Sequence, residues 1–377
     1  MKFIINKNEL VSAISIVEKF VPSKTPMPTL AGIKFLATED SLFLTATNLE
    51  MGIEYKIYGE DTGLLVKEKG NTVIESKILS NIIRRIDEDI IEFDCNENSA
   101  NIKSSGFNMV LPCFNVMDFP EISKKNSLKT IKLKQGIFKD MIRKTIYARA
   151  DEFSSRPQLT GVLVDCKDNI LNMVALDGFR IAWSYVELDD LAEDFKVIVP
   201  GYTLLEISRI FKDEDESSFE FCYSAGSVEF ATENFVITSR VLDGDFIDYK
   251  MIMNIEPKLV VKVDANKLRL AVEKAGIIAR ESSAGNLIKF NIAEGIIEVQ
   301  AEAESGRISE KVACSTKGQE MLIAFNAGFF LDALKSISEP EIRLEFSDEA
   351  GPCIITPVEN KHHKNFILPV RLKGEKL

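Results

Sequence analysis

The chain has 377 residues, 45% of them hydrophobic and 28% charged, and its 46 Lys+Arg against 58 Asp+Glu give a net charge of −12. This is enough for two or three soluble globular domains, and the absence of any run of 18 apolar residues predicts no membrane span. An acidic body repels duplex nucleic acid unless its charges are segregated, so the placement of the charge matters more than its sum.

The start, MKFIINKNEL, turns polar after five residues and does not read as a signal peptide. From Lys2, KFIINKNELVSAISIVEKF reads as a strand leading into an amphipathic helix over 8–20. SLFLTAT from Ser41 alternates as a strand should. TVIESKILSNIIRRIDEDIIEF from Thr72 reads strand, short helix over 76–86, acidic turn, strand; Ile78, Leu79, Ile82 and Ile86 share one helix face, with Lys77 and Arg84 opposite. The polar stretch KKNSL near 125–129 ends this part of the chain.

The order then returns. TIKLKQGIFKDMIRKTIYA from Thr130 predicts a strand and a helix over 136–149, with Phe138, Met141 and Ile142 on the buried stripe and Lys139, Arg143 and Lys144 away from it. NILNMVAL from Asn169 is a strand, and ALDGFRIA at 175–182 follows. Its Asp-Gly is a hairpin-turn signal, but Phe179 and Arg180, residue types favoured at binding hot spots, come at once. KVIVPGYTLLEISRIFKDEDESSFEF from Lys196 repeats strand, helix (201–212), acidic turn and strand. After polar MNIEPK near 253–258, LVVKVDANKLRLAVEKAGI from Leu259 predicts a strand and a helix over 265–280. There Leu268, Ala271, Val272 and Ala275 face inward while Arg269 and Arg280 face out. GIIEVQAEAE and EMLIAFNAGFFLDALKSISEPEIRLEF, with a helix over 326–336, complete the series.

These are three copies of one unit. Leu10, Phe138 and Leu268 occupy one position of the first block, 128 and 130 residues apart; Ile86, Phe211 and Ile337 occupy one position of the second, 125 and 126 apart. A period near one third of the chain in two independent blocks is a repeat signature. The expected architecture is α+β: three similar tandem domains, 1–127, 128–254 and 255–377. Each reads β-α-β-β-β-α-β-β-β, with two helices packed on antiparallel sheet.

The repeat also segregates charge. The six predicted helices carry a net +9, and since the whole chain carries −12, the remainder carries −21. Outward Lys and Arg on any one helix are an ordinary solvated face; the excess over several helices suits sequence-independent phosphate attraction. No P-loop, G-x-G-x-x-G or G-x-S-x-G motif occurs. The six cysteines are scattered without a C-x-x-C pair, which fits free thiols in a reducing cytoplasm and neither zinc nor disulfides. The two histidines, His362 and His363, read as a solvated loop. No catalytic cluster, metal site or cofactor is expected.

TPMPTLAGIKF at 25–35, TATNLEMGIEY at 45–55, ALDGFRIA at 175–182, VIVP at 197–200, SRVLDGDFIDY at 239–249 and LPVRL at 368–372, in this order and spacing, resemble the bacterial DNA polymerase III β-subunit (sliding clamp) family over essentially the full length. The resemblance implies a head-to-tail homodimer whose six domains close into a ring, helices lining the hole and sheets outside. It implies a non-enzymatic, cytoplasmic processivity factor that encircles double-stranded DNA without reading sequence. The partners it implies are the polymerase III catalytic subunit, the clamp loader, and other polymerases and repair factors.

The resemblance places a partner-peptide pocket between the second and third domains, at Leu159, Leu176, Gly178, Phe179, Arg180, Ile181, Ile247, Met251, Ile252, Leu368, Pro369, Val370, Arg371 and Leu372. Physically this is an apolar groove with an arginine rim, although each Leu or Ile alone also suits core packing. By the same resemblance Lys24, Lys77 and Arg156 face DNA; the helix angles add Arg84, Lys139, Arg143, Arg269 and Arg280. Phe179 replaces a common His, Ile247 replaces a Pro, and Ser76, Gly201 and Tyr202 stand where relatives can carry Lys or Arg. A tail, KGEKL, follows the last motif. A peptide-binding adaptor that does not encircle DNA is the alternative; a carboxylate-dependent hydrolase is a weaker third.

Overall fold

The structure, a computed structural model, describes residues 1–121, 129–213, 216–224, 226–252, 256–282 and 285–371. The expected boundaries at 127/128 and 254/255, Leu372 and the KGEKL tail lie outside them. Two compact units form: residues 1–135 with 209–241, and residues 136–208 with 242–377.

The helices start where the sequence supplies caps. Asn6 caps α1 (Lys7–Val17), Glu75 caps α2 (Ser76–Ile83), Asp264 caps α6 (Ala265–Arg280) and Asn326 caps α7 (Ala327–Lys335). Each side chain accepts an N–H that the first helical turn leaves orphaned. Helices α3 (Gln135–Thr145) and α4 (Gly201–Ile210) complete the expected six. The expected helical stretches 8–20 and 136–149 end in 3-10 turns at Glu18–Phe20 and Ile146–Ala148. A one-turn helix, α5 (Tyr249–Ile252), was not anticipated.

The first unit is built on a 13-stranded antiparallel sheet. Helix α1 packs on strands Ser41–Thr47 and Met51–Tyr58 and against α2. Within this sheet strand Phe235–Arg240 of the middle third pairs with Met51–Tyr58 of the first, Thr238 opposite Gly52. The second unit has a 12-stranded sheet, on which α6 packs together with α7. Here strand Arg180–Glu187 of the middle third pairs with His363–Ile367 of the last, Phe366 opposite Ile181. Both junctions between thirds are therefore antiparallel strand pairs.

The expected strand count falls short: five strands, not three, separate the two helices of the first third, and four those of the middle and last thirds. The overlooked strand is Gly161–Lys167 in the middle third, which is buried along nearly its whole length. A strand covered on both faces shows no alternation for a period-two pattern to find.

The helix faces largely follow the expected angles. Phe138, Met141 and Ile142 are buried, as are Leu268, Ala271, Val272 and Ala275. Two positions differ. Ile78 is exposed, and Ile83 takes its place in the core beside Leu79. Lys144, expected outward, is buried with its Nζ 2.6 Å from Asp140 Oδ2 one helical turn back. The ion pair lets the long side chain lie along the protein rather than in water.

Candidate functional site

The second unit holds an apolar groove of about 120 Å³. Eight of the expected residues line it: Leu176, Gly178, Phe179, Arg180, Ile181, Ile247, Ile252 and Leu368. Pro352 and Phe366 line it too and were missed. Phe366 sits in an apolar strand, where nothing local distinguishes groove from core.

The groove is assembled around the turn between strands Ile170–Leu176 and Arg180–Glu187. Asp177 Oδ1 accepts the N–H groups of Phe179 (2.9 Å) and Arg180 (3.1 Å). Gly178 has φ +97°, a left-handed conformation that glycine adopts without strain. The two central residues of the turn are thus Gly178 and Phe179, with the aspartate as their cap. Phe179 is 61% exposed and stacks on Phe329 at 5.9 Å between centroids. Its carbonyl accepts the N–H of Leu368 (2.9 Å), which ties the C-terminal segment to the turn.

Arg180 is not a free rim. Its side chain is only 11% exposed and its donors are committed: Nε to Asp177 (2.9 Å), one terminal nitrogen to Asp332 (2.7 Å), the other to the Tyr147 carbonyl (2.9 Å). The guanidinium also lies 4.5 Å over the Phe329 ring. Such a fork is what arginine geometry allows and lysine does not. Arg180 therefore holds the turn, α7 and the Phe179–Phe329 shelf in register.

The remaining expected pocket residues lie around the groove. Leu159 is buried beneath it, in a cluster with Leu176, Ile198 and Tyr249. Tyr249 anchors α5 by donating to Asp165 Oδ2 (2.8 Å), which sets Ile247 and Ile252 at the wall. Met251, on the same turn of helix, is 78% exposed and does not line the cavity. Val370 and Arg371 are exposed and Pro369 is half-buried; the Val370 N–H bonds the Ala324 carbonyl (2.8 Å). Leu372 lies outside the described residues.

The histidine pair overturns its expectation. His362 is exposed, but His363 is fully buried in strand His363–Ile367. Its Nδ1 faces the Trp183 carbonyl (3.2 Å) and its Nε2 the Asn365 amide nitrogen (3.0 Å), while Asn365 Oδ1 accepts the Tyr147 hydroxyl. The chain of bonds is consistent with a neutral ring carrying its proton on Nδ1. Two polar letters before an apolar run gave no sign that one of them enters a sheet.

Burial, reinforced by nearby Lys144, holds the His363 imidazole down from 6.5 to about 3. The unfolded chain takes up this proton near pH 6.5 and the folded one resists until about pH 3, so His363 lowers stability as pH falls through that window. The expected slope is ~1.4 kcal/mol per pH unit, absent in His363→Gln. Because the chain has only two histidines, NMR checks this directly: the His363 imidazole signals should not titrate above pH 5.

The expected DNA-facing cations divide into two sets. Lys24, Lys77, Arg156 and Arg280 are exposed. Arg84 is exposed but reaches Glu18 and Ser15. Arg143 is exposed but bonds Asp140 (2.5 Å) and Ser338 (3.2 Å). Arg269 bonds Glu273 (3.0 Å), and Lys139 is half-buried. Asp140 feels burial pushing its carboxyl up, but Arg143 and Lys144 outweigh that and hold it below the usual range. No group of three or more candidate metal ligands occurs among the described residues, and no helix among them is long and apolar enough to cross a membrane.

Comparison with known proteins gives a consistent set. Models of the N-terminal, central and C-terminal domains of the DNA polymerase III beta subunit match residues 1–123, 132–248 and 250–371. Among relatives, the beta sliding clamp of Bacillus subtilis is 29% identical and that of Halalkalibacterium halodurans 28%, each across 98% of this chain and 100% of the relative. Among solved structures, the DNA polymerase sliding clamp of Bacillus subtilis superposes with a TM-score of 0.94 at 27% identity, covering 99% of both chains. The DNA polymerase III beta subunit of Thermotoga maritima gives 0.89 at 26%, covering 98% of this chain and 99% of its own.

Proposed function

The chain belongs to the DNA polymerase III beta subunit family, and from that premise we propose how it works as a DNA sliding clamp: two copies close head to tail around duplex DNA and tether the polymerase through the Leu176–Leu368 groove. It is a processivity factor and not a catalyst, acting in the cytoplasm where the chromosome is.

The observation that carries ring closure is the strand inventory. Twice within the chain a strand at the end of one third pairs with a strand of the third before it: Phe235–Arg240 with Met51–Tyr58, and His363–Ile367 with Arg180–Glu187. The corresponding third pair is Phe107–Phe114 and Gly306–Gly318. Residues 107–112 pair only with strand Ser99–Ser104, and residues 306–313 only with Ile296–Ala303, among the described residues. Each presents an open edge, the feature that invites strand pairing with another chain. A second copy satisfies both edges by the geometry already used at the other two junctions.

Closure predicts a particle of twice the 42.2 kDa chain mass by sedimentation at micromolar concentration. A charge on an edge opposes pairing, and Val110, exposed on the first edge, supplies the site: Val110→Lys is expected to weaken the dimer at least tenfold. A monomer in the parent protein would count against the ring. The functional test is loading onto nicked circular DNA, with retention until the DNA is linearised.

The groove supports the tethering half of the proposal. Its apolar walls and its exposed aromatic shelf suit short extended segments of the polymerase III catalytic subunit, the clamp loader, and other polymerases and repair factors. Tethering makes polymerase rebinding intramolecular, which raises its effective concentration at the primer end.

A further inference from the structure

The turn that builds the groove recurs in the first unit, and there it borders a cavity of its own. Asn48 Oδ1 accepts the N–H groups of Glu50 (3.0 Å) and Met51 (2.9 Å), as Asp177 accepts those of Phe179 and Arg180. Leu49 takes the place of Gly178, and the backbone is left-handed at both, φ +76° and +97°. Beyond the turn the pairing stays in step: Gly52 faces Thr238 as Ile181 faces Phe366. The Arg240 N–H bonds the Glu50 carbonyl (3.0 Å) as the Leu368 N–H bonds that of Phe179. One junction, with different side chains, is therefore present in both units.

The side chains change its chemistry. Thr47 stands for Leu176, Gly52 for Ile181, Thr238 for Phe366, Arg240 for Leu368 and Glu50 for Phe179. Loss of apolar bulk leaves a cavity of about 430 Å³ against about 120 Å³ in the groove. Buried Thr47, Ser227 and Ser239 add hydroxyls to its lining, Thr47 already donating to the Met51 carbonyl, Ser239 to the Arg240 carbonyl and Ser227 bonded to Ser224, and exposed Glu50 and Glu121 place two carboxylates there against the single guanidinium of Arg240.

We propose that this cavity is a second docking site, which takes an extended peptide anchored by a lysine side chain. An ammonium has three donors and no acceptor; the two carboxylates complement it, and their excess over the guanidinium selects its charge. A left-handed non-glycine residue is strained, and Gly178 avoids that strain in the other copy. The Leu49 side chain, half exposed, lines the cavity.

The inference rests on reading the second-unit groove as a peptide site, and one titration separates the two. Methyl-labelled full-length protein is titrated with Ac-Ser-Lys-Ala-Lys-Ser-NH2, with its Lys-to-Glu counterpart, and with an apolar clamp-binding peptide of the cognate polymerase. The lysine peptide should shift the methyls of Thr47, Leu49 and Met51, the glutamate peptide should not, and the apolar peptide should shift Ile247 and Leu368. Glu50→Lys with Glu121→Lys, both on exposed positions, should weaken the lysine peptide at least tenfold. Leu49→Gly should raise the melting temperature while weakening that peptide at least threefold. Unmoved Leu49 and Met51 methyls, or equal binding after both charge reversals, would overturn the second site. Failure of the apolar peptide at Ile247 would instead overturn the reading of the groove.

Discussion

Reversing Lys77, Arg156 and Arg280 together to Glu is expected to abolish duplex binding, and with it loading onto circular DNA, while leaving the dimer and the melting temperature unchanged. All three are exposed and enter no side-chain ion pair among the described residues, so their loss should fall within the small effects typical of surface substitutions. The DNA effect is large because each phosphate neutralised releases counterions: log affinity varies with log salt at about −0.9 per contact. Three cations in each of two copies correspond to roughly 10⁴ in affinity near physiological salt, before any repulsion from the new carboxylates. The check is the salt slope of the affinity for duplex DNA. An unchanged slope would favour the adaptor reading, in which peptides bind but DNA is not encircled. The same reversal at Arg143 and Arg269 is a weaker test, because Asp140 and Glu273 already compensate those charges.

This difference marks how far helical angles reach. A 100° step places Lys139, Arg143 and Lys144 off the buried stripe, and the stripe itself is right. What the angle omits is the neighbour one turn back. Asp140 draws in both Arg143 and Lys144, and Lys144 ends up buried. The repeat was legible for a sturdier reason: two blocks share one period, and the caps Asn6, Glu75, Asp264 and Asn326 stop the strands and start the helices where the pattern changes. The strand Gly161–Lys167 was not legible, since burial on both faces erases alternation.

For the groove, the turn and its walls were legible from ALDGFRIA and the C-terminal motif, but the support beneath them was not. Phe329, Asp332 and Tyr147 reach Arg180 from 149, 152 and 33 residues away in sequence. His363 and Asn365 lie in a segment whose composition reads as solvated loop, yet both are buried and bonded to each other. Long-range polar pairing leaves no periodic trace, so single residues such as Arg180 read as rim when they are anchors.

That distinction yields the second large effect: Arg180→Ala and Phe179→Ala should both impair partner-peptide binding, but only the first should destabilise the fold. Phe179 is 61% exposed and its removal deletes contact surface. Its expected effect is at least tenfold weaker binding of the apolar polymerase peptide, ~1.4 kcal/mol, with little change in stability. Arg180 is enclosed, and truncation strands Asp177, whose side chain is 13% exposed, without its counter-charge. Breaking such a pair from one side costs about 3–5 kcal/mol, and the shelf formed with Phe329 loses its support. Arg180→Lys should recover little, because an ammonium cannot reach Asp177, Asp332 and the Tyr147 carbonyl in one plane while lying over Phe329. Calorimetric titration with the peptide, paired with thermal melts of all three variants, separates the roles: if Arg180→Ala melts like the parent, Arg180 is a contact residue after all and the anchoring role assigned to it here is wrong.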